Sequence, residues 1–339
     1  MNNNSRAQWL EREGLRVDPE LSAILLPAPL CGSERGDLIC VPVESDGVFL
    51  LRKQRAYLSL AETKLRLRAH WFACQHGAPV VPLHPCMAAG PLFDLSGHAF
   101  EVQQWIFGKP LSVMDCEDLH LAVVSLAHFH ETMGGFDAPK PIEKTLHLEP
   151  RERFSKAHYH WPLLVGALAT AASASLLAEI SFQLERAEAA VAHTRARTSD
   201  REGQIFVHGD PVTENLIRSE AGIFLLDLDD LHLADREEDL AWMIAEICSL
   251  DKGRDHLSIR PSLCEKTVLD LFEAYHNTYP LSAIACERFP HFCTASIACL
   301  LTDSFFDDDG ELLVAAAEYA KNVERSLHLI DQFYRVFPP

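Results

Sequence analysis

The chain has 339 residues, 48% of them hydrophobic, so it can bury a large core, and its length points to two domains or one two-lobed unit. A formal net charge of −19 argues against a nucleic-acid partner, whose phosphates require a basic surface, and is compatible with a cationic ligand. Ten cysteines spread from Cys31 to Cys299 without C-x-x-C spacing argue against a disulfide framework or a cysteine zinc site and read as buried reduced thiols.

The start, Met1-Asn2-Asn3-Asn4-Ser5-Arg6, has no basic n-region leading into an apolar stretch, so no secretory signal is expected and the expected location is the cytoplasm. Cys31-Gly32-Ser33-Glu34-Arg35-Gly36 precedes a hairpin pattern: Leu38 to Val43, a turn at Glu44-Ser45-Asp46-Gly47, then Val48 to Leu51. In Phe49-Leu50-Leu51-Arg52-Lys53 the alternation of a strand places Leu50 and Arg52 on one face and Phe49, Leu51 and Lys53 on the other. Leu60 to His76 reads as a helix stopped by Gly77, with Ala78 to Pro82 extended after it.

Further on, Leu121 to Thr132 is helical in pattern, with Val124, Leu126, Ala127 and His130 available to the interior. His128 and His130, two apart, cannot share a helix face, which argues against a metal pair there. Phe154 to Pro162, with Tyr159 and Trp161, reads as an aromatic interior. Residues 157–178 carry no formal charge, but His158, His160, Pro162 and many small residues make them an interior helix rather than a membrane span. Leu177, Ile180, Leu184, Ala187 and Val191 form an amphipathic packing stripe. Asp239 to Cys248, Val268 to Tyr275 and a long run from Gly310 to about Phe333 complete a mainly helical second half. The acidic run Asp303 to Glu311 reads as a solvated turn between helices or as a substrate loop.

The most specific signal lies at residues 204–229. Gln204 to Val207 is a strand pattern, His208-Gly209-Asp210-x4-Asn215 a loop, and Gly222 to Leu226 a short apolar strand leading into Asp227-Leu228-Asp229. Phosphoryl transfer requires a carboxylate beside the attacking hydroxyl and two further oxygen-bearing side chains on Mg²⁺. Asp210, Asn215 and Asp227 stand at that spacing, with Gly209 where a protein kinase has Arg. A chance match of five specified residues in one register has odds on the order of one in ten thousand. Asp210 is therefore the candidate to orient a hydroxyl and accept its proton, and Asn215 and Asp227 the candidates for Mg²⁺. Asp229 either assists them or supports them from behind, and His208 braces the loop. Upstream, Gly32-x3-Gly36, with Ser33 inside it, is the candidate loop over the phosphates, on the strength of its place before a strand that ends in basic residues. Only eleven residues separate Asp227 from Asp239, too few for the activation segment of a protein kinase, so a free small molecule is the expected acceptor.

These runs, with Asp239-Leu240-Ala241 after them, resemble the signature of the aminoglycoside phosphotransferase and choline kinase-like family, although Ala234 and Arg236 stand where many relatives have Gly and Pro. The resemblance implies an α+β, bilobal protein-kinase-like fold. A small β-rich N-lobe over residues 1–105 would bind nucleotide, and a larger, mainly helical C-lobe over 106–339 would carry the catalytic loop. It implies ATP or GTP as donor, Mg²⁺, and a monomer or homodimer acting on a small-molecule hydroxyl. Arg52 falls at the position of the phosphate-contacting lysine, with Lys53 taking over if the strand carries a bulge. Relatives place a glutamate on the following helix to hold that cation. Here the count reaches Arg66, and Glu62, one turn earlier, reads as the partner or as a surface residue. Glu101 to Leu111 resembles the hinge, where adenine would pair with the backbone at Gln104 and Ile106. Aminoglycosides, other antibiotics, choline-like and homoserine-like metabolites, sugars and protein Ser/Thr are all open as acceptors, and a non-catalytic nucleotide-binding module is the remaining alternative.

Overall fold

The computed structural model describes residues 38–43, 47–53, 59–93, 99–111, 115–137, 174–197, 204–249, 265–303 and 316–338, with single helical positions at 153, 154, 157, 161 and 165. The amino-terminal part is an antiparallel sheet of order β1-β2-β4-β3, formed by β1 (Leu38–Val43), β2 (Gly47–Lys53), β3 (Leu92–Phe93) and β4 (Ala99–Gln104). Its register sets Arg52 opposite Glu101 and Phe49 opposite Gln104. Beside the sheet runs α1 (Leu60–Gln75). Its first turn is closed by a capping box in which Ser59 Oγ accepts the Glu62 N–H at 3.2 Å and a Glu62 carboxylate oxygen accepts the Ser59 N–H at 2.7 Å.

An extended segment after α1 ties this sheet to the rest of the molecule. Val81 N–H donates to the Leu225 carbonyl and Leu225 N–H to that of Pro79, while Gln104 N–H donates to the Pro82 carbonyl at 2.7 Å. One short run of backbone thus bonds to β4 on one side and, on the other, to the strand Gly222–Leu225 that leads into Asp227.

The second part holds two small sheets and six helices among the described residues. One sheet has the order β5-β7-β8, from β5 (Lys109–Pro110), β7 (Leu216–Ser219) and β8 (Gly222–Leu225); the other pairs β6 (Gln204–Val207) with β9 (His232–Asp235). The helices are α2 (Cys116–Met133), α3 (Ala174–Arg197), α4 (Arg236–Ser249), α5 (Glu265–Thr278), α6 (Ala283–Asp303) and α7 (Ala316–Val336). From Glu237 to Ser249 every residue of α4 is buried, so this helix is the centre of the core, packed on α6 and flanked by α2 and α5. The expected stripe on α3, from Leu177 to Val191, is buried at each of its five positions.

The helix α6 is absent from the sequence expectations. Its Pro290 lacks the N–H that a helix interior uses, a strong local signal against helix. Burial of Phe289, Phe292, Cys293, Ala295 and Ile297 against the core outweighs that loss. Among the described residues no helix is long and apolar enough to cross a membrane, and the six cysteines whose side chains are described carry free thiols, Cys116 being exposed rather than buried. Most of the uncharged run 158–173 and the acidic run 304–311 lie outside the described residues.

Candidate active site

The loop between β6 and β7 is held almost atom by atom. Phe206 and Val207 are buried and aim the chain inward, and Gly209 turns it with φ +87°. A Cβ on Gly209 would collide with the backbone carbonyl of Asp230, so the position normally taken by Arg in a protein kinase admits no side chain here. The Asp239 carboxylate accepts the backbone N–H groups of His208 at 2.8 Å and of Gly209 at 3.0 Å. Burial works against its ionisation, but the bond from His130 and the nearby charge of Arg153 oppose it, and Asp239 is held below the usual carboxylate range. Burial keeps His130 neutral, its pKa lowered despite that carboxylate. Its partners assign the tautomer: Nε2–H donates to Asp239 at 3.1 Å, and Nδ1 accepts the Tyr275 hydroxyl at 2.7 Å. The ring of His208 is pinned to the Leu226 carbonyl at 2.7 Å.

Asp210 stands half-buried at the head of this loop. Its Oδ1 accepts the Trp242 indole N–H at 3.0 Å, and its Oδ2 and backbone carbonyl accept Nδ2 of Asn215 at 3.2 and 2.9 Å. Farther along, Glu246 takes the N–H and hydroxyl of Thr213 at 3.3 and 3.0 Å. Burial pushes Glu246 up to about 8, although the Thr213 bonds oppose the shift. Asp239, Trp242 and Glu246 follow one another by three and four residues on α4, so one helix face grips loop positions 208, 209, 210 and 213 in order. Arg153 joins from a distant part of the chain. Its guanidinium lies 3.8 Å over the Trp242 ring and donates to the Gly209 carbonyl.

The β7–β8 hairpin brings Asp227 beside Asn215: Leu226 N–H donates to the Asn215 carbonyl at 2.8 Å. Asp227 has φ 53°, a left-handed conformation rare for a residue with a side chain and tolerated best by Asp and Asn. Its Oδ1 accepts the Asp229 N–H at 3.4 Å, starting the short 3₁₀ turn Leu228–Asp230. Asp229 is almost fully buried behind it.

Arg52 reaches into this acidic corner from β2. One guanidinium nitrogen lies 2.7 Å from Asp227 Oδ1 and 2.9 Å from Asp229 Oδ2, and the other 3.1 Å from Asp229 Oδ1 and 3.7 Å from Glu101. Burial disfavours the charge, but the carboxylates of Asp229, Asp227 and Glu101 outweigh it and raise the pKa of Arg52. Burial in turn pushes Glu101 up to about 7, against the pull of Arg52.

Several of the expected site residues meet here and others do not. Asp210, Asn215, Asp227, Asp229 and Arg52 converge. Ser33 and the side chain of Lys53 lie outside the described residues. Gln104 and Ile106 sit at and just after the end of β4, with the Gln104 N–H committed to Pro82. Glu62 is corrected on one point: it is buried at 1% exposure, not a surface residue, because the capping box draws its carboxylate back over the start of α1. The acid facing Arg52 from the neighbouring strand is Glu101.

The phosphotransferase enzyme family matches residues 43–279, well over half of the chain. The chain belongs to the phosphotransferase enzyme family. No curated protein matches it by sequence. Among solved structures, a choline kinase from Cryptosporidium parvum is similar at TM-score 0.64 and 12% identity, covering 99% of this chain and 98% of that one. A microcompartment-associated aminopropanol kinase is similar at 0.61 and 16%, covering 98% and 97%. An aminoglycoside phosphotransferase from Alicyclobacillus acidocaldarius follows at 0.60 and 14%, covering 92% and 95%. The fold is thus that of these small-molecule kinases, and the family makes this chain a phosphotransferase.

For such an enzyme the donor set suits a hard divalent cation. With Nδ2 of Asn215 turned to Asp210, the acceptor oxygen of that amide is the atom left for a metal, and Asp227 adds a carboxylate that already draws a cationic group. Among the described residues no group of three or more His, Cys, Asp or Glu is arranged to hold a metal ion by itself.

Trp242, Glu246, Glu101 and Arg153 were missed in the sequence. The spacing 239, 242, 246 was a readable signal, a single helix face following the family's Asp-Leu-Ala. Glu101 depends on strand register and Arg153 on a contact 56 residues away, neither of which a local pattern carries.

Proposed function

We propose that this phosphotransferase moves the γ-phosphate of ATP or GTP, carried with Mg²⁺, onto a hydroxyl of a cationic small molecule such as an amino alcohol or an aminoglycoside. The observation that carries the reading is Asp210, fixed between two hydrogen-bond donors beside Asn215 and Asp227. In this reading Asp210 orients the acceptor hydroxyl and accepts its proton as the new O–P bond forms and the nucleoside diphosphate leaves. Asn215 and Asp227 hold the metal, with Asp229 behind them, and Mg²⁺ supplies neutralisation of phosphate charge when bound. Arg52 contacts the phosphates, the backbone at Gln104 and Ile106 receives the base, and the lobes divide at residues 105/106.

Three features favour a cationic acceptor. The net charge is −19. Asp210 and Glu214 both lie close enough to Glu246 to raise its pKa, so this end of the loop concentrates acidic groups. Two of the similar structures are named for choline and aminopropanol, both amino alcohols.

The test is a screen of Mg²⁺-ATP and Mg²⁺-GTP against aminoglycosides, amino alcohols and neutral sugars, scored by nucleoside diphosphate release. Acceptor-dependent release with an amine-bearing alcohol is expected, and release with neutral sugars alone would overturn the cationic reading. Asp210→Asn should cut transfer to a small residual rate while nucleotide still binds, and unchanged turnover would remove Asp210 from the mechanism.

A further inference from the structure

We infer that Trp242 is a positioning residue for the transfer step, acting through Asp210, with Arg153 locking the indole in place; this rests on the reading of Asp210 given above. A carboxylate on a short side chain turns freely about its last torsion unless both oxygens are engaged. Here Asn215 engages Oδ2 and Trp242 engages Oδ1, the latter at 3.0 Å. The indole N–H is a donor with no acceptor capacity, so its bond to the carboxylate runs in one direction and survives any rearrangement of protons nearby. It also requires Asp210 Oδ1 to act as an acceptor, which is the role that receives a proton from a hydroxyl.

The indole has no freedom to turn away. Trp242 is 4% exposed, and the helix that carries it is anchored on the same loop at Asp239 and Glu246. The Arg153 guanidinium covers the ring at 3.8 Å and bonds to the Gly209 carbonyl, one residue before Asp210. Arg153 is itself 3% exposed, and its backbone N–H is held by Glu238 at 2.8 Å. A tryptophan needed only to fill the core would not require its nitrogen to point at the half-exposed carboxylate.

The experiment compares Trp242→Phe with the wild type in steady-state kinetics, once an acceptor has been found by the screen. Loss of one donor to a charged acceptor should lower kcat about ten- to a hundredfold, with the nucleotide KM and the thermal midpoint nearly unchanged. Substitution by β-(3-benzothienyl)alanine, which replaces the N–H by sulfur and keeps the shape, should reproduce the loss, so the question stays answerable if the phenylalanine variant folds badly. In an Asp210→Asn background, either change should have no further effect on the residual rate. Unchanged kcat in the benzothienyl variant, or losses that add to those of Asp210→Asn, would overturn the inference. Full turnover in Asp210→Asn alone would instead overturn the reading on which it rests.

Discussion

The guanidinium of Arg52 lies 2.7 Å from Oδ1 of Asp227, although the two residues come from different parts of the fold, 175 positions apart in sequence. The cation expected to meet phosphate and the carboxylate expected to meet its metal ion meet each other. Asp229 and Glu101 complete the cluster, so three carboxylates converge on one guanidinium. A planar fork with five donors can serve several carboxylates at once, which a lysine ammonium on the same strand would do less well.

Arg52→Ala should therefore act twice. Three acidic groups left without their cation should lower the thermal midpoint, with Mg²⁺ restoring part of it, and loss of the phosphate contact should raise the nucleotide KM by about tenfold or more. Arg52→Lys should fall between wild type and Arg52→Ala in both. Differential scanning fluorimetry with and without Mg²⁺, together with nucleotide titrations, checks this; an unchanged KM in Arg52→Ala would remove Arg52 from the phosphate site.

Glu62 and Glu101 should separate stability from nucleotide binding. Glu62→Ala breaks the capping box and should cost about 1 kcal/mol of unfolding free energy with little change in nucleotide KM. Glu101→Gln removes the charge beside Arg52 while keeping size and hydrogen bonding, and should shift KM at little cost in stability. Chemical denaturation and kinetics on both variants decide which glutamate serves the cation.

Gly209→Ala should be severely disabling. The residue sits at φ +87° against the Asp230 carbonyl, so a methyl group forces the loop off Asp239. A loss of roughly 2 kcal/mol or more in stability is expected, with turnover reduced by orders of magnitude because Asp210 is the next residue. Wild-type activity in this variant would show that the loop tolerates another path.

His70 makes part of the stability pH-dependent. It is buried at 3% exposure with Nε2 against the Val81 carbonyl at 2.7 Å, and burial holds its pKa down from 6.5 to about 4. The unfolded chain takes up a proton below pH 6.5 that the folded chain refuses until about 4, so this contribution is complete above 6.5 and is lost as pH falls through that window. The loss should reach roughly 3 kcal/mol. Denaturant unfolding of wild type and His70→Gln between pH 7.5 and 4.5 should show the difference between them narrowing with acid; parallel curves would contradict it.

The loop that presents Asp210 was legible because its pattern is local. His208, Asp210, Asn215 and Asp227 sit within twenty residues, on the loop after β6, its closing 3₁₀ turn and the segment just past the β7–β8 hairpin, so a short span of sequence carries them all. The helix stripes were legible for a similar reason, since a period of 3.6 residues repeats along each segment. The helix over residues 283–303 was not, because Pro290 speaks locally against it and only the surrounding core supports it. Glu62 misread for a related reason: the serine that turns its carboxylate inward lies three residues back, while its burial is set by the whole domain.

The residues of one sequence neighbourhood, their order and their donor atoms were thus enough to specify phosphoryl transfer to a hydroxyl. Which side chains hold those residues still was decided only in three dimensions. Trp242 on Asp210, Arg153 on Trp242, and Glu101 across from Arg52 depend on a helix rotation, a long-range contact and a strand register. Each of these is settled by burial summed over the whole core, and no single stretch of the chain encodes it.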